Sequence, residues 1–516
     1  MKGPPPPTTA PRRRPRALPT LLLGLSVALA GCASRLPATN AAAEVAVPTR
    51  WSEGGADQAQ SPTSLVSWWQ RFGDAQLSAL IEDGLRHSPT VHAAVAALRQ
   101  SRALADVARA GYSPNVTGSS SAQRSRTASA GTTNTFAVGL NASWEPDLFG
   151  ATRAGVSAAE ADARAAQMSL GNVQISLAAE IALAYIDLRD QQARLTIAER
   201  NLASQDDTLQ ITRWRQQAGL VSALDVEQPA TSAEQTRAQV PVRQAARDQA
   251  RHRLALLTGR APGTLAALGN APVPLPPDDL VMAFPADTLR QRPDVQQTEA
   301  QVRAAWARLV QADAARYPTF SLSGSLGLQA LTLGGLTAGG ALVRTLAAGL
   351  SLPIFDGGAI NATVRAQQAA YEQARANHQS SVLTALQDVE DALVALQGDR
   401  ARIGSLQAAA SAAERADALA RQQYQAGLID FATVLTSQRT LLSAQDSAAS
   451  VRASLANDHV ALYKALGGGW APTSADSDPA TDASANANAG TVPGADAAPE
   501  PTAAIVATPI SNAAAR

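Results

Sequence analysis

Little in this chain is equipped for chemistry. Of 516 residues only one is Cys, which excludes an internal disulfide framework and any Cys-cluster metal site. The five His (His87, His92, His252, His378, His459) are scattered without a His-x-x-x-His pair, so they suggest neither a metal site nor a catalytic base. No Gly-x-x-x-x-Gly-Lys-Ser/Thr phosphate loop occurs, so energy for any work must come from a partner. Aromatics are only 4% of the chain, which argues against a large aromatic-rich globular core. Charged residues, at 17%, fall below the roughly 25% of an ordinary soluble domain. Lys plus Arg and Asp plus Glu are both 43, without the positive excess of a nucleic-acid-binding surface. Ala is abundant instead, and suits long helices that pack closely along narrow seams.

The first 31 residues form an address. Arg12, Arg13, Arg14 and Arg16 precede an apolar run from Leu21 to Ala30. The run is shorter than the roughly 20 apolar residues of a spanning helix, but suits a secretory signal. It closes on Leu29-Ala30-Gly31-Cys32, which resembles the bacterial lipoprotein box, with the chain's one Cys at the required position. The resemblance implies cleavage before Cys32 and acylation of its thiol and new amine. By the same resemblance, Ala33 and Ser34, with no Asp just after the Cys, imply sorting to an outer membrane. The mature chain would have 485 residues, 38 basic and 43 acidic side chains, and a net charge of −5.

The remainder is a duplication. His87-Ser88-Pro89-Thr90-Val91 recurs as Gln291-Arg292-Pro293-Asp294-Val295, and Tyr112-Ser113-Pro114 as Tyr317-Pro318; both prolines shift by 204 residues. Gln217-Ala218-Gly219-Leu220-Val221 recurs as Gln425-Ala426-Gly427-Leu428-Ile429, a shift of 208. The reading is a signal over 1–31, an extended segment over 32–64 and a first repeat over 65–260. A Pro-rich linker over 261–290, a second repeat over 291–467 and a tail over 468–516 of disorder-prone composition complete it. Each repeat should carry a helical segment (75–110, 293–316), a hairpin (113–146, 318–354) and long helices (151–257, 357–465).

The hairpins alternate large apolar with small polar residues. Phe136, Val138, Leu140, Ala142 and Trp144 share one face, as do Phe320, Leu322, Leu326, Leu328 and Ala330. Leu346, Ala348, Leu350, Leu352 and Ile354 continue the pattern, while Val116 is the only large apolar residue of the first strand. Period two over about ten residues is the pattern of a membrane barrel strand, apolar side out. Four strands cannot close a barrel, and open edges do not survive in hydrocarbon. The chain must therefore share one: two copies would give 8 strands and three would give 12.

In the helices, Ile181, Leu188, Leu195, Leu202 and Leu209 are seven apart and map onto Val389, Leu396, Ile403, Ala410 and Asp417. Leu170 and Leu177 keep the spacing, but Leu177 to Ile181 is a step of four, a stutter. A helix over 151–217 would be about 100 Å long, more than a globular core hides. Gly219 and Gly427 should turn the chain at the helix tips, with Asp225 just beyond the first turn and Asp430 placed to cap the helix after the second.

Five motifs together resemble the TolC-like outer membrane factors, specifically the NodT-type efflux lipoproteins. They are Trp68-Trp69-Gln70-Arg71-Phe72-Gly73-Asp74, Trp144-Glu145-Pro146-Asp147-Leu148-Phe149-Gly150, Arg292-Pro293-Asp294-Val295, Tyr317-Pro318-Thr319-Phe320-Ser321-Leu322 and Leu352-Pro353-Ile354-Phe355-Asp356-Gly357-Gly358. The resemblance covers residues 65–467 in order. It implies a mainly α fold with a small membrane β part: a homotrimer with four strands per chain in a 12-stranded barrel on a long α-helical barrel. It implies a passive exit duct in the outer membrane of a Gram-negative bacterium, set in outer-membrane lipid and extending into the periplasm. The duct would dock a periplasmic adaptor and an inner-membrane RND-type pump, and pass drugs or other small solutes. No enzyme activity, nucleic acid or cofactor is implied beyond the lipid on Cys32. In that family acidic residues close the periplasmic tip. Thr436 stands where the family's gate Asp would be, which leaves Asp225 and Asp430 as candidates for rings of charge. The competing reading is a periplasmic coiled-coil adaptor or structural lipoprotein without a pore.

Overall fold

The computed structural model describes Gly3, Trp51 and residues 65–128, 131–277, 289 and 291–470. The signal sequence, Cys32 and the tail from residue 471 onward lie outside the described residues.

Seven α-helices and one four-stranded sheet make up the described chain. Helix α1 (Ala75–His87) and α2 (Pro89–Ala110) lead into strands β1 (Asn115–Thr127) and β2 (Gly131–Trp144). Helix α3 (Ala151–Gln217) and α4 (Ala223–Leu257) complete the first repeat. The second repeat holds α5 (Pro293–Ala314), β3 (Thr319–Ala330), β4 (Leu342–Ser351), α6 (Ala359–Gln425) and α7 (Phe431–Ala465). The helical segment expected over 75–110 is two helices, because Pro89 takes the first helical position of α2 and Ser88 is extended. The fourth strand ends at Ser351, so Leu352 and Ile354 lie beyond it.

The duplication is close in length. Helices α3 and α6 are both 67 residues, about 100 Å at 1.5 Å per residue, and α4 and α7 are both 35. The change of offset from 204 to 208 falls in the hairpins. Three residues join β1 to β2, whereas eleven, including a 3-10 turn at Leu333–Thr337, join β3 to β4.

The family-like motifs are caps and junctions. Asp147 accepts hydrogen bonds from the amides of Thr152 and Arg153 at the start of α3, and Asp356 from those of Gly358 and Ile360 at the start of α6. Tyr317 stacks on Phe149 at 5.1 Å, tying the two sheet-to-helix junctions together. Arg292 donates to the Ala465 carbonyl at 2.7 Å and so caps α7, while also pairing with Asp294 and Asp388.

The main core lies midway along the helices. Trp68, Trp69 and Phe72 are buried there, and Trp68 stacks on Tyr463 at 5.2 Å. Asp74 caps α1 and accepts a 2.6 Å hydrogen bond from the Tyr185 hydroxyl. Burial, and then this carboxylate, push Tyr185 up to about 12. Fully buried Arg189 donates to Tyr185, Gln76, Gln192 and the Gly269 carbonyl, which fixes the Pro-rich linker against α3. The start of the first repeat meets the residues just beyond the second where Gly469 N–H donates to the Leu65 carbonyl at 2.9 Å.

The sheet has order β1-β2-β3-β4, all neighbours antiparallel. Its register places Val138 beside Leu328, Leu140 beside Leu326, and Gly324 beside Leu346 on one face. Leu140, Leu326, Leu346 and Leu350 are more than half exposed in the single chain. The opposite face carries Thr117, Asn141, Ser325 and Thr345 across its four strands. The outer edges of β1 and β4 have no strand partner among the described residues.

Candidate gate at the helix tips

Both helix pairs turn in the same way at the end remote from the sheet. Gly219 (φ 72°) and Gly427 (φ 76°) occupy the left-handed region, where an L side chain is disfavoured. Leu220 N–H donates to the Arg215 carbonyl and Gly219 N–H to that of Gln216; Leu428 and Gly427 repeat the pattern on Gln423 and Tyr424. These paired bonds satisfy the last carbonyls of α3 and α6.

The two candidate acids begin the return helices. Asp225 and Ser222 cap α4 reciprocally. Asp430 caps α7, accepting from the Thr433 amide at 3.0 Å and from its hydroxyl at 2.7 Å. Both carboxyls are held below the usual carboxylate range, Asp225 by Ser222 and Asp430 by Thr433. They are therefore ionised at neutral pH and at the very tip, Asp430 exposed and Asp225 half-buried. Thr436 lies in the second turn of α7, its hydroxyl donating to the Ala432 carbonyl at 2.9 Å.

A polar lock not anticipated from the sequence joins the first helix pair to the second just above these turns. The Thr212 and Tyr424 hydroxyls are 2.9 Å apart and buried. Thr212 spends its proton on the Thr208 carbonyl, at 2.8 Å, so Tyr424 must be the donor between them. Arg215 donates to the Tyr424 carbonyl at 2.8 Å and lies over its ring, 5.0 Å from the centroid. Farther from the tip, Gln438 reaches Thr208 at 3.5 Å, Asn201 donates to Gln445 at 3.0 Å and Arg194 pairs with Asp446 at 2.8 Å. Buried Asp417 fills the last of the seven-residue positions, held by Ser437 and Arg421. Tyr424 continues the same spacing by one more step, which is the one local signal that marks it.

A seam of this kind is unlike the apolar core above it. Hydrogen bonds exchanged for water cost about 1 kcal/mol each, far less than exposing packed Leu and Ile side chains. The tips are thus the place where the two helix pairs separate most easily. Asp225, Asp430, Gly219 and Gly427 cluster here by virtue of the two turns, whereas Thr436 belongs to the helix above them.

Comparison with known proteins agrees with this architecture. The chain is 31% identical to nodulation protein T of Rhizobium leguminosarum bv. viciae over 450 residues, covering 86% of this chain and 93% of that one. It is 30% identical to the pyoverdine export outer membrane protein OpmQ of Pseudomonas aeruginosa over 442 residues, covering 83% and 92%. The solved outer-membrane channel OprN superposes with a TM-score of 0.75 at 32% identity, covering 85% of this chain and 98% of that one. The family model for outer membrane efflux proteins matches residues 80–260 and 284–468, one segment in each repeat. With most of both repeats matched, the chain belongs to the outer membrane efflux protein family.

Proposed function

We propose that three copies of this chain assemble into one duct that carries small solutes passively from the periplasm across the outer membrane. The observation that carries this reading is the sheet. It has one apolar exposed face, one small polar face, and free edges at β1 and β4. Strand β1 runs away from the helices and β4 runs back, so β4 of one copy can pair antiparallel with β1 of the next. Three copies would close 12 strands with no open edge, as hydrocarbon requires. Helices of about 100 Å then extend the passage into the periplasm.

The wall of this passage within the barrel is uncharged, because no charged residue lies on the small polar face of the strands. Selection by charge falls instead to the tips, where Asp225 and Asp430 would each form a ring of three. Opening requires the α6–α7 pair to swing from the α3–α4 pair, which breaks the Thr212–Tyr424 lock. The chain supplies neither catalysis nor energy in this reading. A periplasmic adaptor and an inner-membrane pump, of the proton-driven RND type, would engage the tips and drive transport. The acylated Cys32 would add a lipid anchor.

Conductance in a planar bilayer tests the reading. The purified full-length protein is expected to give discrete cation-preferring steps, and Asp430→Ala to weaken that preference. A protein that forms no conducting pore would overturn the proposal.

A further inference from the structure

The sheet contains three charged residues, and all three are arginines: Arg124, Arg126 and Arg344. The register puts them on the apolar face. Arg124 pairs across with Asn134, and Arg126 with Thr132, directly beyond the Ala122–Phe136 pair. Arg344 pairs across with Leu326, between the Leu328–Leu342 and Gly324–Leu346 pairs. Each stands within three residues of the end of its strand remote from the helices. Toward the helices the same face carries Val116, Ala142, Leu322 and Leu350 and no charge. All three side chains are exposed, and none makes an ion pair or hydrogen bond among the described residues.

This one-sided placement has a physical meaning, given the barrel reading on which it rests. A guanidinium on a lipid-facing side is most costly at mid-bilayer and tolerated near the interface. Its long stem can lie along apolar surface while the head reaches the boundary. The end remote from the helices is the outward end, so the three heads sit at the level of the outer leaflet's headgroups. A guanidinium there has a strong match in phosphate, which its planar fork binds through two hydrogen bonds. We propose that the rim formed by Arg124, Arg126 and Arg344 binds the phosphates of the outer-leaflet glycolipid. Three copies place nine such groups around the barrel. The site ties the barrel to the outer leaflet and fixes its depth, while the uncharged lumen stays free for transport.

The test uses the full-length protein extracted from its native membrane in mild detergent. Bound lipopolysaccharide is counted per trimer by native mass spectrometry, for wild type, an Arg124→Ser/Arg126→Ser/Arg344→Ser variant, and the corresponding triple Arg→Lys variant. The serine variant is expected to lose lipid by about fivefold while keeping its conductance, and the lysine variant to fall between serine and wild type, because an ammonium keeps the charge but loses the two-bond fork. Serine-variant trimers with wild-type lipid content would overturn the proposal. The second arm needs no variant. Wild-type trimers in vesicles should melt higher with phosphorylated than with dephosphorylated lipid A, and inorganic phosphate should not reproduce the gain. Equal melting with both lipids, or an equal gain from inorganic phosphate, would refute lipid binding. A wild-type protein that extracts as a single protomer would instead refute the barrel itself.

Discussion

Replacing Tyr424 by Phe isolates the lock between the helix pairs. The phenyl ring keeps its packing against Phe431 and its position beneath Arg215, and the Tyr424 backbone carbonyl still accepts from that guanidinium. Only the hydroxyl is lost, and with it the 2.9 Å hydrogen bond to Thr212. Thr212 remains bonded to the Thr208 carbonyl, so no donor is stranded and the loss is near the middle of the usual range, about 1 kcal/mol. Threefold symmetry multiplies this to about 3 kcal/mol, a shift of roughly 150-fold toward the open arrangement when all three locks must break together. Single-channel recording in a planar bilayer reads this as open probability. Thr212→Val should give a similar shift, and the double variant should add little to either, because both remove the same bond. Open probability within about twofold of wild type for Tyr424→Phe, or full additivity in the double variant, would refute the lock.

Other expectations concern the seam, the core and pH. Gly327→Val would bring a Cβ within 2.8 Å of Gly139 Cα and 2.7 Å of the Val138 carbonyl, on the β2–β3 pairing that joins the two hairpins. It should cost about 1–3 kcal/mol per protomer and lower the trimer yield on an unheated gel. Arg189→Met strands the acceptors of Gln76, Gln192 and Gly269, and should lower stability by about 3 kcal/mol in thermal melting. Asp458 is pushed up to about 6 by burial and by the neighbouring Asp399 carboxylate. A carboxylic acid with a raised folded pKa favours folding when protonated, so stability should fall as pH rises from about 4 to 6 and then level off. Asp458→Asn should flatten that part of the melting profile and stabilise the protein at pH 7.

Features written in local sequence were readable before the structure. The Ala-Gly-Leu turns, the cap at Asp430 and the alternation of Phe136, Val138 and Leu140 each depend on residues a few positions apart. The split at Ser88-Pro89 was also local, but helical periodicity on both sides concealed it. Beyond Ser351 the alternation persists through Leu352 and Ile354 although the strand has ended, because pattern alone does not show where a hydrogen-bonded partner stops. The lock was hidden for a different reason. Thr212 and Tyr424 are 212 residues apart, and only the folding of one repeat against the other brings them together. The Arg189 network is similar, since its acceptors come from α1, α3 and the linker.

The central claim is that the chain completes its sheet only with two further copies of itself. Its most direct test is the mass of the detergent-extracted, lipid-modified protein by light scattering corrected for bound detergent. A mass of three protomers is the expected result. A monomer that stays soluble without detergent once Cys32 is replaced would contradict the shared barrel.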